Sequence, residues 1–295
     1  MDDYTLFLKK EFSFVPYAEN FDLARRSTIG AGGTAKLAFF PDSVESLIRL
    51  VDGLKNCGVK FAVLGNLSNV LPADGSSEVV YILTQNVKGV ETGNKFFAYA
   101  GTSSTAFLRV CEEAGKSGGE FLAGIPCTIG GAAFMNAGVS GSYLSEIVES
   151  VLYYLDGEVR SLPVAECGYS YKNSRFMREN GVILGVTFRL VDSDKENILK
   201  ARGYYLEKRK HLPKGKSMGC VFKNPENLIA GQLIENAGLK KMRVGGAVVS
   251  SEHANFIINE NRASSKEIKS LIALIKNAVY TQYKVRLEEE IRYLD

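Results

Sequence analysis

The chain has no C-x-x-C pair, no run of apolar residues near the roughly 18 needed to cross a bilayer, and no excess of either charge sign. Each absence closes off a class of function. Cys57, Cys111, Cys127, Cys167 and Cys220 are odd in number and widely spaced, which fits neither a disulfide framework nor a zinc site and points to a reducing cytosol. With 36 Lys and Arg against 33 Asp and Glu, the net charge is only +3. No global field therefore favours nucleic acid or a membrane surface, and an anionic ligand must be held by local groups. The opening MDDYTLFLKKEF is acidic and then basic without a long apolar core, so a soluble, unprocessed, cytoplasmic protein is expected. No internal repeat or low-complexity run is present. What remains is an ordinary globular composition, 45% hydrophobic and 23% charged over 295 residues, enough for two or three domains.

Periodicity predicts mixed α and β structure. Asp42 to Gly58 reads as a helix with capping-box spacing at Asp42 and Glu45 and an apolar face of Val44, Leu47, Ile48, Val51 and Leu54. A strand from Lys60 to Leu64 runs into GNLSN (Gly65, Asn66, Leu67, Ser68, Asn69), a turn composition whose amides can face a ligand. A short strand near Val79 to Leu83 follows, then a helix from Ser104 to Gly115 with Phe107, Leu108, Cys111 and Ala114 inward. Val151 to Leu155 and Glu158 to Leu162 flank Asp156-Gly157 as a hairpin, and Gly181 to Val191 reads as a buried strand. The polar stretch Asp192 to Asn197 precedes a charged helix-like segment, Ile198 to His211, and marks a boundary to a last α/β domain. The clearest helix starts at Ser264, capped with Glu267, and buries Ile268, Leu271, Ile272, Ile275 and Val279.

Three segments carry candidate chemistry. GIPCTIGGAAFMNAG, Gly124 to Gly138, joins a proline turn and paired glycines to Asn136 among small side chains, so the chain can approach a pyrophosphate and admit a flat ring; a tight loop in a core has the same composition. SMGCVFKNP places the Cys220 thiol before Lys223 and Asn224, where it is either a proton donor or a buried core cysteine. In RLEEEIRYLD, Glu288, Glu290 and Arg292 would share one face of a strand and meet one ligand, or else form a solvated charge run.

In order and spacing these segments resemble the UDP-N-acetylenolpyruvoylglucosamine reductases, the MurB family, over nearly the whole chain. The resemblance runs through STIGAGGTAKLAFFP, VLGNLSNVL, GIPCTIGGAAFMNAG, YSYKNSRF, MGCVFKNP, GQLIENAGLK, VGGAVVSSEHANFIIN and LEEEIR. The short link from Phe176 to Val182 is similar to the family's compact branch. The resemblance implies an α+β fold, with a two-subdomain FAD-binding region that is not a Rossmann unit followed by a small α/β substrate-binding domain. Taken onto this chain, that gives 1–85 and 86–197 as the flavin subdomains and 198–295 as the substrate domain. It implies non-covalent FAD, NADPH as reductant, UDP-N-acetylglucosamine enolpyruvate as substrate in peptidoglycan synthesis, and no obligate protein partner. Two other readings stand beside it, an FAD oxidoreductase of this fold with another substrate and a flavin- or nucleotide-binding homologue without turnover.

Residue by residue, the resemblance makes Cys220 the proton donor where the family usually has serine, Lys172 the holder of the substrate carboxylate where it has arginine, and Glu290 the group that polarises or protonates it. Cofactor binding falls on Gly65, Asn66, Leu67, Ser68, Asn69, Gly124, Ile125, Pro126, Cys127, Thr128, Gly130, Gly131, Asn136, Ala137, Gly138 and Ile183. Sugar-nucleotide binding falls on Asn224, His253 and Arg292, with Lys210 beside His211 where the family has a basic residue. Leu67 and Cys127 replace glycines, and a positive φ at either would cost about 1–2 kcal/mol.

Overall fold

The computed structural model describes residues 3–294. Two compact units are present, one of Met1–Glu19, Leu37–Asn66 and Val79–Lys210, the other of Asn20–Lys36, Leu67–Glu78 and His211–Asp295. The α+β class expected from the sequence is the one observed.

In the first unit the helix Val44–Asn56 forms as expected, but its cap lies one residue later than the sequence suggests. Ser43 and Ser46 close the capping box rather than Asp42 and Glu45, because the Ser46 hydroxyl reaches both the Ser43 amide and the Asp42 carboxylate. Leu47, Leu50, Val51 and Leu54 are buried against the parallel strands that carry Leu37, Phe39, Val80 and Ile82. The helix Ser104–Glu113 buries Phe107, Leu108 and Cys111. Ala114, expected inward, is its exposed C-cap, followed at once by Gly115 in the left-handed region at φ +62°.

A five-stranded antiparallel sheet runs in the order Glu158–Pro163, Val148–Leu155, Val182–Phe188, Phe96–Tyr99 and Val90–Glu91. The hairpin turn at Asp156 and Gly157 has φ of +49° and +85°, the two left-handed residues that match a two-residue turn to strand twist. Every residue of Val182–Phe188 is buried, because the strand serves two cores. Val182 and Leu184 face one core while Ile183, Val186 and Phe188 face the other. A bulge at Leu184 causes the change of parity: Tyr153 pairs with Ile183 and Leu152 with Gly185. The helix Lys195–Arg209 belongs to this unit, tied to it by Arg202 and Lys195 on Glu112 at 3.0 and 3.3 Å.

The second unit packs the helices Ala230–Asn236 and Ser265–Tyr283 with an antiparallel sheet of Arg243–Val244, Ala247–Val249 and Ile257–Asn259. Ser264 and Glu267 form the expected capping box, and Ile268, Leu271, Ile272, Ile275 and Val279 are the buried stripe. A parallel pair joins Arg292–Leu294 to Val70–Pro72. Among the described residues, no helix is long and apolar enough to cross a membrane.

Candidate active site

Gly65 and Asn66 end a segment of the first unit and are locked onto the proline turn. The Asn66 Nδ2 donates to the Pro126 carbonyl at 2.9 Å, and Gln85 Nε2 donates to Asn66 Oδ1 at 3.1 Å. A Cβ at Gly65 would lie 2.3 Å from Thr128 Oγ1, so only glycine fits there. Thr128 caps the short helix Ile129–Met135 by accepting from the Gly131 amide at 3.2 Å. Gly130 sits against Ala100, whose carbonyl takes its amide at 2.8 Å. Gly124 turns at φ +75°, with Arg209 beside it. Ile125 accepts at its carbonyl from Ser104 Oγ and from the Cys127 amide. Ile183 lies in the buried strand of the same unit.

The two replaced glycines behave differently. Leu67 takes φ +48°, the left-handed region, and is 3% exposed. Cys127 keeps an ordinary φ, so its Cβ adds no strain of that kind; burial pushes its thiol up to about 11. Among the described residues, the successive backbone amides of Gly65, Asn66, Leu67 and Ser68 donate to no protein acceptor. A turn of such amides with a left-handed residue is a concavity for an anion.

Lys172 stands in a tight turn in which Ser170 and Asn173 exchange amide hydrogen bonds of 3.1 and 3.2 Å. Its φ of +51° is left-handed, as the turn demands. Asn136, left-handed at the end of the helix Ile129–Met135, donates to the Ser170 carbonyl at 2.9 Å and accepts from the Ser145 amide at 3.0 Å. Ser174 Oγ adds a bond to the Phe134 carbonyl at 2.6 Å. The turn is therefore pinned to the end of the glycine-rich helix, followed by Ala137 and by Gly138, which pairs with Tyr143.

In the second unit, Cys220 is half-buried at the edge of an apolar cluster of Val248, Phe256 and Ile258, whereas Cys111, Cys127 and Cys167 are fully buried. Its segment runs between two neighbours. On one side Val221 donates to the Asn255 carbonyl at 2.8 Å; on the other Glu290 donates to the Val221 carbonyl and Lys223 to the Glu288 carbonyl, each at 2.8 Å. Asn69 fixes the Glu290 region, with its Nδ2 on the Glu290 carbonyl at 3.1 Å and its own carbonyl accepting from the Arg292 amide at 2.9 Å.

Glu288, Glu290 and Arg292 alternate with Leu287 and Ile291, which are buried, and residues 288–290 pair antiparallel with residues 221–223 before the regular strand begins at Arg292. Glu288 pairs with Lys223, and Glu289 with Lys276 at 2.7 Å. Asn224 is exposed and accepts at Oδ1 from the Ala230 amide at 3.0 Å. His253 Nδ1 accepts from the Asn255 amide at 3.3 Å, and burial holds the imidazole below its usual range. Lys210 and Arg292 are exposed; Lys210 pairs with Glu207, in the first unit.

A family model described as the UDP-N-acetylenolpyruvoylglucosamine reductase C-terminal domain matches residues 210–294, and one described as an FAD binding domain matches residues 35–162. The UDP-N-acetylenolpyruvoylglucosamine reductase of Caldicellulosiruptor bescii is 35% identical, covering 99% of this chain and 94% of that protein. This chain belongs to the UDP-N-acetylenolpyruvoylglucosamine reductase family. The reductase of Carboxydothermus hydrogenoformans is 37% identical over 95% of this chain and 94% of its own. The crystal structure of the Thermus caldophilus reductase superposes with a TM-score of 0.82 at 32% identity, covering 95% of this chain and 99% of that one.

The first unit's part of the cradle fits the flavin dinucleotide that an FAD binding domain implies. Glycines forced by contact at Gly65 and Gly130, and the Gly65 and Asn66 amides, which donate to no protein acceptor among the described residues, leave backbone open to a diphosphate. Sequence reasoning missed the residues that hold this reductase's loops in place. Gln85 supports Asn66, and the buried Asn255 bonds both peptide groups of Phe222. Nothing local signals either role, since both partners lie far away in sequence.

Proposed function

We propose that this protein reduces UDP-N-acetylglucosamine enolpyruvate to UDP-N-acetylmuramate in the cytoplasm for peptidoglycan synthesis, with NADPH as reductant and non-covalently held FAD. When bound, FAD supplies hydride transfer between the two substrates. The chain's own residues bind, orient and protonate. The backbone of residues 65–69 and 124–131, with Asn136, Ala137, Gly138 and Ile183, holds the cofactor. The Lys172 ammonium binds the substrate carboxylate, on which negative charge grows in the transition state, and stabilises that charge. Glu290 polarises or protonates the same carboxylate. Asn224, His253, Arg292 and Lys210 bind the sugar nucleotide, His253 as a neutral hydrogen-bonding ring at neutral pH. Cys220 delivers its thiol proton to the carbon that bears the carboxylate.

The half-exposed Cys220 thiol, held on a backbone bonded along both edges, carries this reading. It is tested by anaerobic half-reactions. Cys220→Ala should leave flavin reduction by NADPH nearly intact and slow the reaction with the enolpyruvyl substrate by about 10²-fold, the contribution of a general acid. Cys220→Ser should recover much of the loss. Turnover of Cys220→Ala at the wild-type rate would exclude the thiol as donor, and a flavin that NADPH cannot bleach would favour a binding protein. We further propose 1–85, 86–197 and 198–295 as subdomains in sequence order, to be read from the first cuts in limited proteolysis.

A further inference from the structure

Before Cys220, Gly219 takes φ +78° with open space where a Cβ would sit. After it, Phe222 is gripped by one side chain: Asn255 Oδ1 accepts from the Phe222 amide at 2.9 Å and Nδ2 donates to the Phe222 carbonyl at 2.8 Å. The Asn255 carbonyl also takes the Val221 amide at 2.8 Å, and Cys220 itself bridges to Phe256. Asn255 is 3% exposed, so water cannot stand in for its amide group. The other edge of residues 221–223 is held by backbone hydrogen bonds and by the ion pair of Lys223 with Glu288. A carboxamide offers a donor and an acceptor side by side whatever the pH, as a strand's peptide group does. Its own amide is fixed in turn by His253 Nδ1.

We propose that Asn255 is a positioning residue for the proton donor, acting as a false strand edge that sets where the Cys220 thiol points. The proposal rests on the reading of Cys220 as the donor. Asn255→Ala in the holoenzyme should slow the half-reaction with the enolpyruvyl substrate by about 10²-fold, the cost of misplacing a reacting group by an ångström. Flavin reduction by NADPH should stay near wild type. In a Cys220→Ala background the same substitution should add nothing, because the group it aims is gone. Additive losses, or equal losses in both half-reactions, would overturn the proposal.

The thiol also reports directly. Iodoacetamide labelling with mass mapping should show a changed rate at Cys220 in Asn255→Ala and an unchanged rate at the exposed Cys57; an unchanged Cys220 rate overturns the proposal. If Cys220→Ala alone turns over normally, the donor reading fails, and the labelling result decides whether Asn255 positions the thiol. If Asn255→Ala does not fold, Asn255→Asp replaces it. A neutral carboxyl can accept and donate as the amide does, so that variant's second half-reaction should recover as pH falls, and a defect that ignores pH overturns the proposal.

Discussion

Leu67 shows how a replaced glycine is accommodated. Its left-handed backbone costs about 1–2 kcal/mol, and burying its side chain returns about 1.5–3 kcal/mol, so burial wins narrowly. Leu67→Ala keeps the strain and loses most of the burial, whereas Leu67→Gly loses the burial and the strain together. The glycine variant should therefore be the more stable of the two by about 1 kcal/mol, opposite to the usual order for strands and helices. Urea midpoints compare them, and an alanine variant equal to or above the glycine variant would contradict the account. His253 gives a pH dependence. Its folded pKa lies below the unfolded value of about 6.5, so the unfolded chain takes up the proton first. The His253 contribution to stability is thus complete above that value and is lost as pH falls through it. His253→Gln should lose less stability than wild type between about pH 7.5 and 5.5, measured by the same titrations; parallel losses would place the acid sensitivity elsewhere.

Elements whose reasons are local were legible. The helix Ser265–Tyr283 shows its cap, its period and its buried stripe within one stretch of sequence. The Asp156-Gly157 hairpin carries its turn chemistry in two letters. Motif order singled out the glycine-rich segments and the Cys220 segment, but not how they are held. The bulge at Leu184, the contact of Gly65 with Thr128 and the grip of Asn255 on Phe222 each join residues far apart in the chain. The Lys172 turn tests such a long-range dependence. Asn136→Ala removes one bond to the Ser170 carbonyl and one from the Ser145 amide, and places alanine in a left-handed cap. Stability should fall by about 1–3 kcal/mol, and the KM for the enolpyruvyl substrate should rise with it. Asn136→Gly, which relieves only the backbone, should recover part of the stability and none of the KM. Full recovery of KM by glycine would show that conformation alone, not the bond to Ser170, sets the turn.

The matched C-terminal model, residues 210–294, looks like a domain that folds alone, yet the second unit is not contiguous. Its core includes Ile29, Ala31 and Leu71, at 0%, 2% and 0% exposure. Its terminal strand Arg292–Leu294 pairs with Val70–Pro72. Asp74 accepts from the Ser265 and Lys266 amides at 2.9 Å each, and Ser265 Oγ bonds the Pro72 carbonyl, so the start of the longest helix also depends on residues 67–78. A fragment of residues 211–295 lacks all of these. Losing Ile29 and Leu71 alone removes about 1.5–3 kcal/mol of burial each, and cavity and capping terms add to it, against a total stability of about 5–15 kcal/mol for a typical domain. The fragment should show no cooperative thermal transition and poor amide dispersion in NMR. Adding peptides that span residues 20–36 and 67–78 should restore structure in proportion to their concentration, since association then replaces chain connectivity. A fragment that melts cooperatively without them would mean that residues 211–295 hold a sufficient core of their own.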